Sequence, residues 1–163
     1  MSELKTNAMR ILDAMRVSYQ LHTYEPGESV DGVSVATKMG MDVNKVYKTL
    51  VTQGKGGGFF VFVIPVAREL DLKKAARAAG EKSVEMIHVG EMIPVKEINR
   101  HTGYIRGGCS PVGMKKKYPT FIDESARALP TMVVSGGRIG LQMEIAPEDL
   151  ARSVGARFAG LLR

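Results

Sequence analysis

The chain has 163 residues, 44% of them hydrophobic and 25% charged, with one cysteine and no tryptophan. That is enough apolar content for one ordinary core, and the single cysteine excludes an internal disulfide and a thiol-rich zinc site. No run approaches the ~20 consecutive apolar residues of a bilayer-spanning helix, and the net charge of +6 favours a polyanionic partner without demanding one.

Met1-Ser2-Glu3-Leu4-Lys5 lacks the apolar segment of a secretory signal and runs straight into a helical pattern, so a cytoplasmic protein is expected. Ala8, Ile11, Leu12 and Met15 recur at the spacing of one helical face, with Arg10, Asp13 and Arg16 on the other. Tyr19, Leu21 and Thr23 alternate with Gln20, His22 and Tyr24 ahead of Glu25-Pro26-Gly27, a strand and turn pattern. Asp31 is placed to cap a short helix carrying Val35, Ala36 and Met39, which Gly40 closes in a left-handed conformation.

Residues 46–52 and 59–64 are rich in strand-forming types and flank a glycine run, which predicts a β-hairpin. Pro65 ends it. A helix is expected over 70–79 with Leu72, Ala75, Ala76 and Ala79 inward and Gly80 at its end. Short strands are expected around 84–87, then a short helix over 91–99 interrupted near Pro94. Residues 102–106, 120–122, 131–134 and 141–145 read as strands, and 147–153 as a last helix with Pro147 in its first turn. Strands outnumber helices without regular alternation, so a mixed α/β sheet surrounded by helices is favoured over a doubly wound parallel sheet. With no repeat and no low-complexity linker, residues 1–163 are expected to form one domain.

Lys48 lies in an otherwise apolar or aromatic strand, and period two places it on the face of Val46 and Leu50. Either the lysine is an ordinary exposed one, or it points inward and needs an anion. Gly107-Gly108-Cys109-Ser110-Pro111 has the glycines for close backbone approach and a proline that stiffens the end, so it reads either as a turn or as a loop presenting N–H groups to a developing oxyanion. Lys115-Lys116-Lys117 follows it as the one dense basic cluster. Ser135-Gly136-Gly137-Arg138 reads as a hairpin turn or as the source of a hydroxyl for the same pocket. Tyr24 and Tyr47 are either core residues or stacking platforms for a base or ribose. No spacing places His88 or His101 beside Cys109 as a base, and the three histidines His22, His88 and His101 show no metal-ligand pattern.

Taken in order, Thr6-Asn7-Ala8, His22-Thr23-Tyr24, Val46-Tyr47-Lys48-Thr49-Leu50, Leu70-Asp71-Leu72-Lys73-Lys74, Thr102-Gly103-Tyr104, Gly107-Gly108-Cys109-Ser110-Pro111-Val112-Gly113 and Ser135-Gly136-Gly137 span nearly the whole chain. In these residues the sequence resembles the YbaK/EbsC family of aminoacyl-tRNA deacylases, and its YbaK-type members more than the ProX-type relatives that clear alanine from the same tRNA. The resemblance implies a barrel-like mixed sheet surrounded by helices. It also implies trans-editing removal of cysteine from Cys-tRNA(Pro), and from Cys-tRNA(Cys) as a further substrate, with no cofactor or metal. The family's essential lysine falls on Lys48 and its backbone glycine on Gly107. Its pocket residues fall on Tyr24, Thr49 and Ser135, with Gly108 in the same loop.

Such enzymes let the substrate's own thiol attack the ester, leaving as a cyclic thiolactone, so no protein nucleophile is required. The partners implied are the aminoacyl-tRNA acceptor end and prolyl-tRNA synthetase, and there is no membrane role. Three positions depart from the family pattern: Asp31 in the 29–32 region, Cys109 in the loop, and Gln142 where an acidic residue is expected. They bear on which small amino acid is removed. A non-catalytic module binding nucleotide or aminoacyl-tRNA, a deacylase for another small amino acid and a Cys109-dependent hydrolase remain as alternatives.

Overall fold

A computed structural model describes residues 5–25, 32–87, 110–114 and 117–163. Helix α1 (Asn7–Ala14) begins at Thr6, whose side chain accepts a hydrogen bond from the Met9 N–H and so satisfies one of the free donors of the first turn. It buries Ala8, Met9 and Leu12. Met15, expected on that face, is 43% exposed, because the helix stops at Ala14 and Arg16 turns the chain at φ 59°. Strand β1 (Gln20–Thr23) follows, then helix α2 (Gly32–Met39), which Gly40 ends at φ +67° as its sequence predicts. The Asp31 cap falls outside the described residues.

A 3-10 turn (Val43–Lys45), capped by Asp42, leads into the expected hairpin of β2 (Tyr47–Gly54) and β3 (Phe59–Pro65). Helix α3 (Leu72–Ala79) has Asp71 as a cap, accepting from the Lys73 and Lys74 N–H groups, and Gly80 as its left-handed end. Ala75 and Ala76 face inward as expected, but Leu72, the first residue of the helix, is 43% exposed.

Next come β4 (Val84–Met86), β5 (Thr120–Asp123), a 3-10 turn (Glu124–Ala128), β6 (Met132–Arg138) and β7 (Leu141–Ile145). Helix α4 (Pro147–Val154), with its proline in the first turn, precedes β8 (Arg157–Ala159), a strand too short and mixed to show in the sequence. The expected elements within 91–99 and 102–106 lie outside the described residues.

The described strands form a mixed sheet in the order β4-β2-β3-β5-β8, in which β3-β5 and β5-β8 are parallel, and an antiparallel sheet in the order β1-β7-β6. A single parallel bridge between Val46 and Val133 joins the two. The mixed α/β class is therefore as expected, whereas the expected barrel-like closure is not found among the described residues: the strands form two separate sheets that meet at that bridge.

The larger core lies between the sheets, where Tyr47, Val63, Ile122, Val134 and Met143 pack with Leu12 of α1 and Leu150 of α4. A second cluster fills the other face of the larger sheet beneath α3, with Phe62 stacked on Phe121 at 5.4 Å. Each such buried side chain contributes about 1.5–3 kcal/mol. A third cluster packs Val46, Val133 and Val66 under Ala36 of α2 and surrounds the bridge.

Candidate functional site

Strands β2 and β6 run parallel at the Val46–Val133 bridge, and two residues further along each strand stand Lys48 and Ser135. Because side chains alternate, Lys48 shares the face of Val46 and Ser135 shares the face of Val133. The structure thus brings two predicted site residues, 87 positions apart in sequence, to one face at the point where the two sheets part.

Lys48 is half-buried, and among the described residues it has no hydrogen bond or ion pair. Burial holds its ammonium below the usual lysine range, with the more distant charge of Glu69 acting the other way. Glu69 itself is taken by Arg163, 2.9 Å away at the exposed C-terminus. An ammonium so placed is a ready site for an anion or for a strong hydrogen-bond acceptor.

Ser135 is half-buried, and its Oγ accepts from the Gly137 N–H at 3.1 Å, which leaves the hydroxyl proton to donate. The Ser-Gly-Gly segment is not a hairpin turn. Strand β6 continues through it to Arg138 with a bulge between Ser135 and Arg138, and the chain reverses at Ile139 and Gly140. Gly136 is needed there, since a Cβ would lie 2.8 Å from Cγ of Leu141. Across the ladder from Ser135 is Gln142, 6% exposed, the position where an acid was expected.

Tyr24 continues β1, its N–H donating to the Gly140 carbonyl at 3.0 Å. Period two sets it on the face of His22, which is the face of Gln142 and Ser135. Its hydroxyl is buried without a partner among the described residues, and so is that of Thr49. Two orphaned buried hydroxyls are unusual in a folded domain, where most buried polar groups are bonded. Thr49 points the other way from Lys48, beside Val63. Lys48, Ser135 and Tyr24 therefore share one face, whereas Thr49 approaches from the opposite face of β2.

Gly107, Gly108 and Cys109 lie outside the described residues, but the exit of their loop does not. Ser110 and Val112 are fully buried, the Val112 N–H donates to Ser110 Oγ at 3.2 Å, and Gly113 adopts φ +77°. Val112 inserts into the core between the sheets. Of the lysine cluster, Lys117 is described and exposed. Tyr47 is not a stacking platform: it is 2% exposed with its hydroxyl 2.8 Å from Ser125 Oγ, and burial raises its pKa.

The sequence reading missed Glu144. Its carboxylate meets Lys45 Nζ at 2.6 Å and His22 Nε2 at 2.8 Å, and it also accepts from the Thr131 hydroxyl. Bonding to Lys45 and then Thr131, with a smaller contribution from His22, holds its pKa down at about 2, against the opposing effect of burial. The signal was the alternation in Leu141-Gln142-Met143-Glu144-Ile145, which sets Gln142 and Glu144 on one face. The Lys45 bond fixes the turn that leads directly into the bridge and Lys48.

Comparison with known proteins adds the following. The family model of the aminoacyl-tRNA editing domain matches residues 28–153. A protein of Enterococcus faecalis that carries the name Cys-tRNA(Pro)/Cys-tRNA(Cys) deacylase EbsC is 43% identical over 159 residues, covering 97% of this chain and 93% of its own. The uncharacterized protein YwhH of Bacillus subtilis is 23% identical over 116 residues, covering 71% of this chain and 69% of its own.

Among solved structures, a hypothetical protein superimposes with a TM-score of 0.84 at 22% identity, covering 97% of this chain and 100% of its own. One described as a trans-editing enzyme for prolyl-tRNA synthetase does so with 0.78 at 24% identity, covering 99% of each chain. At these identities the structural likenesses establish the fold.

Proposed function

This chain belongs to the aminoacyl-tRNA editing domain family, and from that membership we propose that it is a trans-editing deacylase that removes cysteine from Cys-tRNA(Pro), with Cys-tRNA(Cys) as a further substrate. The observation that carries the reading is the half-buried Lys48, whose ammonium has no partner among the described residues, on the face of Ser135 and Tyr24. The near full-length likeness to a relative named for this activity supports the choice of substrate. Residues 1–163 act as one editing domain in the cytoplasm.

On this reading Lys48 holds the phosphate or ribose region of the terminal adenosine. Tyr24 and Ser135 offer hydroxyls from the same face, Thr49 closes the pocket from the other, and the Gly107 N–H, with Gly108 beside it, orients the ester carbonyl. One such donor aimed at the developing oxyanion is worth about 3 kcal/mol. The substrate's thiol sulfur attacks its own ester carbonyl carbon. A new S–C bond closes a cyclic thiolactone, the ester C–O bond breaks, and the ribose oxygen leaves with the electron pair and takes up the proton the thiol has given. Because nucleophile and electrophile belong to one molecule, holding the right conformer supplies most of the acceleration.

Recognition ends at the acceptor end, and prolyl-tRNA synthetase acting in trans supplies the tRNA selectivity. The test is multiple-turnover deacylation of Cys-tRNA(Pro) with and without that synthetase. Cysteine release that the synthetase directs toward tRNA(Pro) is expected. Protection of the ester without turnover would instead indicate a binding module.

A further inference from the structure

We propose that Thr6 and Asn7 are positioning residues of the editing site, fixing the Ser135 strand and the exit of the glycine-proline loop in relation to one another from a single helix start; this rests on the deacylase reading above. Thr6 Oγ1 donates to the Gly136 carbonyl at 2.6 Å across 130 residues of sequence, while accepting from the Met9 N–H at 3.2 Å. Asn7 Nδ2 donates to the Gly113 carbonyl at 3.0 Å across 106 residues.

Both acceptors sit where the backbone has left its regular partners. The ladder between β6 and β7 passes from Ser135–Gln142 to Arg138–Leu141, so Gly136 and Gly137 fall inside the bulge. The Gly137 N–H is taken up by the Ser135 hydroxyl, and the Gly136 carbonyl by Thr6. Thr6 thereby fixes the peptide that carries Ser135 and, through the Ser135–Gly137 bond, the direction in which the Ser135 proton is offered. Gly113, at φ +77°, ends the segment that Val112 anchors in the core, and Asn7 holds that end. A simple helix cap would need only the Met9 bond; the two added bonds reach the two segments between which a substrate ester would lie.

The test compares Thr6→Val, Thr6→Ser and Asn7→Asp in the full chain, reading kcat and KM for Cys-tRNA(Pro) together with thermal unfolding. Thr6→Val removes the donor, Thr6→Ser keeps it, and Asn7→Asp removes the amide donor while adding an acid to the first turn, where the helix dipole favours it. Displacing a site segment by a fraction of an ångström is expected to lower kcat about five- to tenfold in Thr6→Val and Asn7→Asp, with KM within about twofold, and Thr6→Ser should stay close to the parent. Asn7→Asp should do so without lowering the unfolding temperature, a separation that a purely structural role does not produce. Unchanged kcat in Thr6→Val and Asn7→Asp, or loss that only follows the unfolding temperature, would overturn the inference. An inactive parent chain would instead remove the deacylase reading, and this inference with it.

Discussion

Lys45 Nζ lies 2.6 Å from the Glu144 carboxylate, tying the turn that precedes strand β2 to strand β7 of the other sheet. That contact sits beside the Val46–Val133 bridge, which joins the sheets among the described residues, and it fixes where β2 starts and hence where Lys48 lies relative to Ser135. Glu144 therefore ties the two sheets together beside Lys48, and its energetics can be measured apart from activity.

The Glu144 carboxyl titrates at about 2 in the folded protein against 4.5 ordinarily. A depressed acid pKa contributes stability that is fully present above the unfolded value and is lost as pH falls through the folded one. Glu144→Gln is expected to lower stability at neutral pH by about 1 kcal/mol, the full shift being reduced by solvent screening and by the hydrogen bonds the amide keeps. Urea unfolding at a series of pH values should show the gap to the parent closing between 4.5 and about 2. A gap independent of pH would show that the ion pair is not its source.

Lys48→Met removes a half-buried ammonium whose charged form burial already disfavours. The variant should unfold at the same temperature as the parent or higher, while kcat/KM for Cys-tRNA(Pro) falls at least about a hundredfold. Thermal unfolding beside single-turnover kinetics reads both quantities.

Tyr24→Phe and Thr49→Val each delete a buried hydroxyl that has no partner among the described residues. Each substitution removes only a hydroxyl and keeps the apolar body of the side chain, so stability should change by no more than about 1 kcal/mol. Loss of one hydrogen bond to the substrate should cost about two- to tenfold in kcat/KM. If both variants keep full activity, these hydroxyls are not pocket groups.

On the proposed mechanism, in which the attacking thiol is the substrate's, Cys109→Ala is expected to keep the parent's kcat within about twofold. Resistance to iodoacetamide at full activity would agree with this. Inactivation of the parent, with protection by substrate, would favour a protein thiol nucleophile.

Much of the architecture was legible because local chemistry and tertiary structure agree. The left-handed Gly40 and Gly80 and the β2-β3 hairpin are encoded within a few residues of where they act, whereas the Asp71 cap was not read and the helix it starts was expected from residue 70. What was not legible depends on partners distant in sequence. Strand β8 is three residues long and exists by pairing with β5, and Ser135-Gly136-Gly137 reads as a turn until β7 is seen to hold it as a bulged strand. Lys48 and Ser135 were visible as candidates, but only the Val46–Val133 bridge sets them side by side. Glu144 was overlooked because its three partners come from β1, the Val43–Lys45 turn and Thr131 just ahead of β6.

The most direct test is deacylation of Cys-tRNA(Pro) beside Ala-tRNA(Pro) by the parent and by Lys48→Ala, with the released sulfur product trapped. The account predicts rapid loss of cysteine alone, as a thiolactone, abolished by the substitution. Equal loss of alanine, or cysteine release that survives without Lys48, would contradict it.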